Sequence, residues 1–531
     1  MTGSTSGRFT GQIHLVAESS RVTRLELVLD LIFVFALLSV TSVVAGDLTL
    51  LGLLRGLLLL GLLWWCWSSY VWLGNVVRID RGFMPLILVG LIAVLLVLVM
   101  TLPKAFVDVP GGLHGPTVFV VSYLVARAGA LVMQTIGVWS DRSLRPRLTW
   151  YWVPLLMAGA LLLAAAHRTS RDGTGGWIPL LLVLAALVVE YGSGLVIGVR
   201  KWRIGSVRHW VDRHSLFVMI ALGETIISIG AGWAAGPGDP ITWSAIAGAL
   251  FSVLVVGALW WVYFNLPKNA AAHRLAATPE RDRARLARDA YTFLHLPMVA
   301  GLILLALGLR TAIHALAAPG VVVWDGLPRL ALFGGVVLFL LGLLAFEARA
   351  MGIFGRGAAL GTALTALALP LTATAPLLVE LGVLAVTAAS PVLADYTVFR
   401  RRHVALHRAV RPAAGGDEGV SSKELFFDLV VTATMLQVVV VTASQPSWAN
   451  LLRGLAVLAL LWWAWCCFAW LASVVRTEAA AARAVTIMAV FATLVVSLSL
   501  PGLFRPEPAG LPAPLVLATC YAVLRVLHIA S

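Results

Sequence analysis

Glu26 and Asp30 stand four residues apart in RLELVLDLIFVFA, an apolar stretch near the start of the chain. On a helix that spacing puts both carboxylates on one face. Carboxylates so close repel, and in an apolar surround such a pair holds a proton or recruits a cation. Both also fall in the first turns of the segment, where negative charge meets the positive end of the helix dipole, so a capping role for Glu26 stands beside the chemical one. Arg127 lies in the middle of TVFVVSYLVARAGALVMQ, too deep to reach headgroups by snorkelling. It needs a carboxylate, and Glu26 and Asp30 are its expected partners. Glu224 sits midway along RHSLFVMIALGETIISIG, after Gly223, and Glu190 lies inside LLVLAALVVEYGSGLVIG. A charge at the centre of a bilayer costs about 2.5–3.5 kcal/mol, so such residues face a bundle interior, paired or hydrated. The chemistry they offer is proton or cation handling. A static ion network that only fixes helix packing accounts for the same residues.

Part of this set occurs twice. Residues 22–78 return without a gap at 420–476, an offset of 398, with 25 identities in 57 positions. Glu26 falls on Glu424, Asp30 on Asp428, Trp64-Trp65 on Trp462-Trp463, Trp67 on Trp465 and Trp72 on Trp470. The same offset carries Tyr123 onto Tyr521 and Arg127 onto Arg525. Shared apolar composition repeats Leu and Val by chance; it does not repeat Glu, Asp and Arg in register. The chain reads as a tandem repeat, with a full unit over 25–400 and an incomplete second copy over 420–531. Ser531 is therefore expected to fall within the second copy and not at its natural boundary.

The elements that must position these residues follow from composition. The 531 residues are 60% hydrophobic and 12% charged, with mean hydropathy +0.94. A soluble protein of this size needs more charge to cover its surface. Apolar runs of about 18 or more residues recur, each long enough to cross about 30 Å of hydrocarbon as a helix. Spans are placed at 27–45, 50–73, 84–103, 116–138, 150–166, 177–199, 214–234, 241–265, 291–312, 329–346, 357–373, 376–398, 424–442, 449–473, 482–501 and 512–530. The fold class is all-α, a polytopic transmembrane bundle of about sixteen crossings. The N-terminal 24 residues are polar and lack the apolar core of a signal peptide, so the first span is expected to act as its own insertion signal.

The net charge of +14 collects in every second loop, for example Arg142, Arg145 and Arg147, or Arg200, Lys201, Arg203, Arg208 and Arg213. That alternation assigns the basic loops and the N-terminus to the cytoplasm of a plasma membrane and argues against nucleic-acid binding. The loop 273–290 holds Thr278-Pro279-Glu280, a helix start, then alternating charge, which predicts a short amphipathic helix running into the next span. The basic stretch 401–419, with Arg411-Pro412 and Gly415-Gly416, reads as a linker. Trp64-Trp65 and Trp260-Trp261 head similar stretches, so the first unit can be read as two six-helix halves. These pairs and Trp462-Trp463 are also the expected membrane-interface aromatics.

Other residues weigh less. His209, Asp212 and His214 cluster without a cysteine and make no persuasive metal set. Glu347, Glu380 and Asp395 lie near span ends and are expected at the interface. Cys66, Cys466, Cys467 and Cys520 read as small buried hydrophobes. There is no phosphate loop, no HExxH and no GxSxG, and no metal or cofactor is expected.

ELVLDLIFVFALLSVTSVV and SSKELFFDLVVTATMLQVVVVT resemble the opening signature of the bacterial low temperature requirement protein A family, an E-x-x-x-D-L-x-F-V-F run. RHSLFVMIALGETIISIG is similar to that family's second signature, and the block at 64–67 and Tyr123 with Arg127 also fit. Copy two departs from the pattern at Val431-Thr432-Ala433. The resemblance implies a multi-pass bacterial inner-membrane protein and brings no reaction, substrate or cofactor. Its signatures land on Glu26, Asp30, Arg127 and Glu224. The expected function is a secondary transporter or ion-conducting protein, with Glu26 and Asp30 as a proton or cation site, Arg127 neutralising one of them and Glu224 relaying charge. Its partners would be the lipid bilayer and an unidentified small solute or ion, with oligomeric state open. A membrane enzyme acting on a lipid head group and a non-catalytic structural protein are the alternatives.

Overall fold

A computed structural model describes residues 22–139, 145–172, 176–199, 202–234, 242–317, 324, 326–400, 422–474, 480–504 and 512–530. The N-terminal tail and the linker 401–419 lie outside them. The described chain is all-α. Each of the sixteen expected spans falls on a helix; fourteen are long and apolar enough to cross a bilayer, and Arg356–Leu371 and Ala513–Ile529 are shorter apolar helices. Continuous helix is what hydrocarbon demands, because it satisfies every backbone group within the segment.

The chain forms two compact units. The first comprises residues 1–218, 268–300 and 342–354. It contains α1 (Arg24–Gly46), α2 (Leu50–Val76), α3 (Met84–Thr101), α4 (Gly115–Val138), α5 (Arg145–Asp172), α6 (Trp177–Val196) and the opening turns of α7 (Val207–Ala234). It also holds α9 (Pro267–Ala277), α10 (Glu280–Ala287) and the start of α11 (His295–Ala317). The helix starts are chemically marked. Thr23 accepts from the amide of Glu26 at 3.3 Å while the Glu26 carboxylate accepts from the amide of Thr23 at 2.7 Å, a capping box. Thr49 caps α2 through the amide of Gly52. Within this unit α1 packs on α2 and α3, α2 on α4 and α6, and α5 on α4 and α6.

The second unit comprises 219–267, 301–341 and 355–531. It holds the rest of α7, α8 (Trp243–Phe264), α12 (Leu327–Met351, in part), α13 (Arg356–Leu371), α14 (Leu377–Tyr396), α15 (Ser422–Ser444), α16 (Trp448–Val474), α17 (Ala480–Leu503) and α18 (Ala513–Ala530). The bounds of α15 and α16 are those of α1 and α2 displaced by 398 residues, and α18 starts where α4 would at that offset. Packing follows suit: α15 on α16 and α17, α16 on α18, α17 on α18. Close helix approach uses glycine, as expected where lipid gives no hydrophobic drive; a Cβ on Gly301 would stand 2.6 Å from the carbonyl oxygen of Gly335.

Two expectations change. Helix α7 begins at Val207, so His209 and Arg213, placed in a basic loop by their polarity, belong to a buried helical turn. The amphipathic helix after Thr278 is present, with Pro279 at the N-cap and Glu280 as first residue, but a further helix, α9, precedes it. A π-helical segment, Arg288–Phe293, then joins α10 to α11. Glu380 stands in the first turn of α14, near a span end as expected, and is fully buried among the helices, where Arg329 donates to both its oxygens at 3.1 and 2.9 Å within the second unit.

Candidate functional site

Two buried charge clusters form in the first unit. In one, Glu26 and Asp30 project from one face of α1, as their spacing requires. The carboxylate of Glu26 divides its work. One oxygen closes the capping box; the other lies 2.8 Å from Nε2 of His209 and 3.6 Å from Nη1 of Arg213. Asp30 accepts from Nη2 of Arg213 at 2.8 Å and from Nε1 of Trp67 at 2.9 Å. His209 and Arg213 are themselves four apart, so two complementary ladders meet along facing helices. Asn75 fixes the histidine: its amide nitrogen donates to the carbonyl of Ser206 at 2.8 Å and lies 3.4 Å from Nδ1 of His209. With Nδ1 turned to that amide, Nε2 is the ring nitrogen that meets Glu26. Two carboxylates thus share one guanidinium. Gly74 makes room for this, since a Cβ there would collide with Oε1 of Glu26.

Arg127 is not the partner of Glu26 or Asp30. From α4 its Nη2 donates to Oε2 of Glu190 on α6 at 2.8 Å, and Nε1 of Trp65 donates to the same oxygen at 2.5 Å. This pair forms the floor of a cavity of about 110 Å³. Trp65, Trp72, Tyr151 and Trp202 supply aromatic wall, and Ser68, Ser69 and Gln134 supply polar groups. The π-helical segment contributes Arg288 and Thr292. Arg288 is held by Asp289 at 2.6 Å and donates to the carbonyl of Gly194 at 2.9 Å. Extra-wide turns of this kind recur where function needs a displaced side chain. Among the described residues, five side chains around the cavity carry a polar atom that is closed to solvent and has no hydrogen-bond partner: Ser68 Oγ, Arg127 Nε, Glu190 Oε1, Trp202 Nε1 and Thr292 Oγ1.

Glu224 lies in the second unit, fully buried, with its Oε1 accepting from the hydroxyl of Ser228 at 2.8 Å. Beside it Gly223 packs against Leu429, the close approach expected of that glycine. In the second matching segment Trp465 donates to Asp428 at 2.6 Å, and Arg525 donates to the sulfur of Cys467 at 2.9 Å; Glu424 begins the same helix. The tryptophans expected at interfaces divide. Trp64 is buried, its indole donating to the carbonyl of Thr292 at 2.7 Å, and Trp260 is buried against Phe426. Trp65 serves Glu190 and Trp261 packs near Tyr396, whereas Trp462 and Trp463 are exposed. His209, Arg213, Arg288 and Arg329 were not singled out by depth in an apolar run, because each stands near a helix start where polarity reads as loop. The four-residue spacing of His209 and Arg213, matching that of Glu26 and Asp30, was the available signal.

The fold and these interior charges define a multi-pass helical membrane protein. Residues 21–393, and again 419–531, match the bacterial low temperature requirement A protein family, and the chain belongs to that family. The two matched stretches are consistent with a repeat. An uncharacterised protein of Rhizobium meliloti (strain 1021) is 28% identical over 299 residues, covering 53% of this chain and 67% of that one. No solved structure matches.

Proposed function

We propose that the chain is a secondary transporter of a bacterial inner membrane, built on a repeated unit, with its N-terminus and basic loops in the cytoplasm. The observation that carries this reading is the cavity floored by the Arg127–Glu190 pair. Its walls run from the middle of α4 to the α6–α7 connection at Val199 and Trp202, the end of the helices that meets basic loops. A buried pair with unpartnered atoms beside a cavity is a switchable element: a solute or a proton that engages one partner releases the other. The cluster sets two carboxylates, Glu26 and Asp30, on the one guanidinium of Arg213, the kind of crowded acid pair that can exchange a proton. Glu224 remains a candidate for charge relay.

In proteoliposomes with a trapped pH dye, proton or cation flux is expected above that of protein-free vesicles and lost in Glu190→Gln and Asp30→Asn. Flux that survives both changes, or none above empty vesicles, overturns the reading. The dense pairing of Glu26 and Asp30 with α7 favours a scaffold role for that cluster. An Asp30→Arg/Arg213→Asp double variant that restores flux assigns the cluster to scaffolding and leaves Glu190 as the coupling group.

A further inference from the structure

We infer that the rim of the first unit carries a seat for an anionic phospholipid, with the headgroup phosphate held by Arg285 and Arg349. The inference stands apart from the cavity and from transport. Asp289, in the π-helical segment, organises the seat. Its Oδ1 accepts from Nε and Nη2 of Arg288 at 2.8 and 2.6 Å. Its Oδ2 accepts from Nε and Nη2 of Arg349, on α12, at 3.2 and 2.8 Å. Nε of Arg285, on α10, stands 4.0 Å from the same Oδ2. One carboxylate thus gathers three guanidinium groups from three elements and can neutralise one of them. Arg288 is spent, since its Nη1 donates to the carbonyl of Gly194 at 2.9 Å. Arg285 lies beyond hydrogen-bond distance of Asp289, and Arg349 keeps Nη1 outside its bonds to that residue. Two positive charges are left over, on side chains 73% and 39% exposed. The neighbouring acids do not cancel them. Glu280 is met by Arg203 and Asp282 by Arg281, each at 3.2 Å. Glu347 is buried and stands two residues before Arg349, off that side of α12.

Like charges held side by side repel, and an anion with oxygens to share relieves both. A phosphodiester has two such oxygens, and guanidinium forks take phosphate oxygens in pairs. The surface alongside makes the phosphate a lipid's. Through Arg288 the cluster is tied to Gly194 near the end of α6, and the next two residues, Leu195 and Val196, are 59% and 87% exposed. Phe354, five residues past Arg349, is exposed as well. Surplus arginine beside exposed apolar side chains marks the depth at which hydrocarbon gives way to headgroups. Free phosphate would use the arginines and leave that apolar rim bare; a lipid covers both. A zwitterionic headgroup brings an ammonium into a field that is already positive, so the seat prefers a lipid of net negative charge.

The test is native mass spectrometry of the detergent-purified full chain, titrated in mixed micelles with phosphatidylglycerol or phosphatidylcholine. Phosphatidylglycerol is expected to be retained in preference. Arg285→Gln/Arg349→Gln should weaken its binding by about tenfold or more. Arg285→Gln alone, on an exposed side chain that no fold contact needs, should weaken it by about threefold to tenfold. Arg203→Gln/Arg281→Gln removes the same charge from exposed pairs outside the seat and should change binding by less than about twofold. Equal retention of the two lipids overturns the inference. So does equal weakening by the two double variants, which would mean a diffuse positive field with no seat. Release of bound phosphatidylglycerol by excess inorganic phosphate overturns it too, because the arginines would then hold phosphate without regard to the lipid attached.

Discussion

Helices α1 and α2 (24–76) and helices α15 and α16 (422–474) build the same hairpin and then part company. In each, the second helix returns a tryptophan indole to an aspartate on the first: Trp67 to Asp30 at 2.9 Å, Trp465 to Asp428 at 2.6 Å. A second ring packs at a tilt beside it in both, with Trp64 and Trp67 centroids 4.9 Å apart and Trp462 and Trp465 5.1 Å apart. The differences come from elsewhere in the chain. Asp30 also receives Arg213 from α7, and Arg127 receives Glu190 from α6. Among the described residues, Arg525 donates to the thiol of Cys467 within its own segment. Trp64 is 1% exposed and Trp462 57%. The hairpin therefore makes the aspartate–tryptophan bond by itself, while the ion pairs are added by α6 and α7. The cavities of the two units differ in kind as well. That of the first has a charged floor; one of about 270 Å³ in the second is lined by Trp260, Trp261, Phe426 and Ile487 and is almost wholly apolar.

The comparison breaks most readily at its arginines. Arg213→Leu leaves two carboxylates buried without their shared guanidinium and is expected to cost about 3–5 kcal/mol. Arg525→Leu removes a donor to sulfur and should cost under about 1 kcal/mol. Unfolding midpoints of the two variants in the same detergent decide the matter; similar shifts would mean that the second segment holds an ionic anchor of equal weight. The next largest contrast is aromatic. Trp64→Ala opens a buried space and loses the bond to Thr292, for about 3–5 kcal/mol, whereas Trp462→Ala exchanges ring surface that lipid already covers and should stay within about 1 kcal/mol.

Where the segments agree, the losses should agree. Trp67→Phe and Trp465→Phe each delete one indole donor to a carboxylate and keep an aromatic ring, at about 1.5–3 kcal/mol apiece. Matching shifts in thermal unfolding sharpen the view that this bond belongs to the hairpin. A loss confined to Trp67 would place its strength in Arg213, which shares the same oxygen of Asp30.

How much of this was legible follows the range of each interaction. Spans, caps and the helix after Thr278 are local, and a hydropathy pattern or a Thr-x-x-Glu spacing reports them. Glu26, Asp30, Arg127, Glu190 and Glu224 stood out because a charge in an apolar run has no local excuse. Their partners are 63 residues apart for Arg127 and Glu190 and 183 for Asp30 and Arg213, and single-sequence reasoning has no ruler for that. Loop polarity then misdirected it. His209 and Arg213 share their stretch with Arg200, Lys201, Arg203 and Arg208, so the topology rule that counts basic residues absorbed two that the fold buries. The π-helical segment left no mark either, since the residues that bring Arg288 and Thr292 to the cavity read equally well as an ordinary helix.

The smallest effect lies just past the end of α2. Arg78 donates to both oxygens of Asp80 at 2.8 and 2.6 Å, and this bidentate bond holds the Asp80 carboxyl below its usual range while raising Arg78 above its own. A carboxylate depressed in the folded state contributes stability that is present above its unfolded value, about 3.9, and is lost as pH falls through the folded value. Asp80→Asn should therefore flatten the acid limb of the stability curve below about pH 4 and leave neutral pH lower by less than about 1 kcal/mol, because both groups are partly solvated. The second segment repeats the pattern as Arg476 and Glu478, beyond the described residues. If Glu478→Gln bends the same acid limb, the turn belongs to the shared hairpin along with the aspartate–tryptophan bond. An acid limb that Asp80→Asn leaves untouched removes the Arg78 contact from the stability of the first segment altogether.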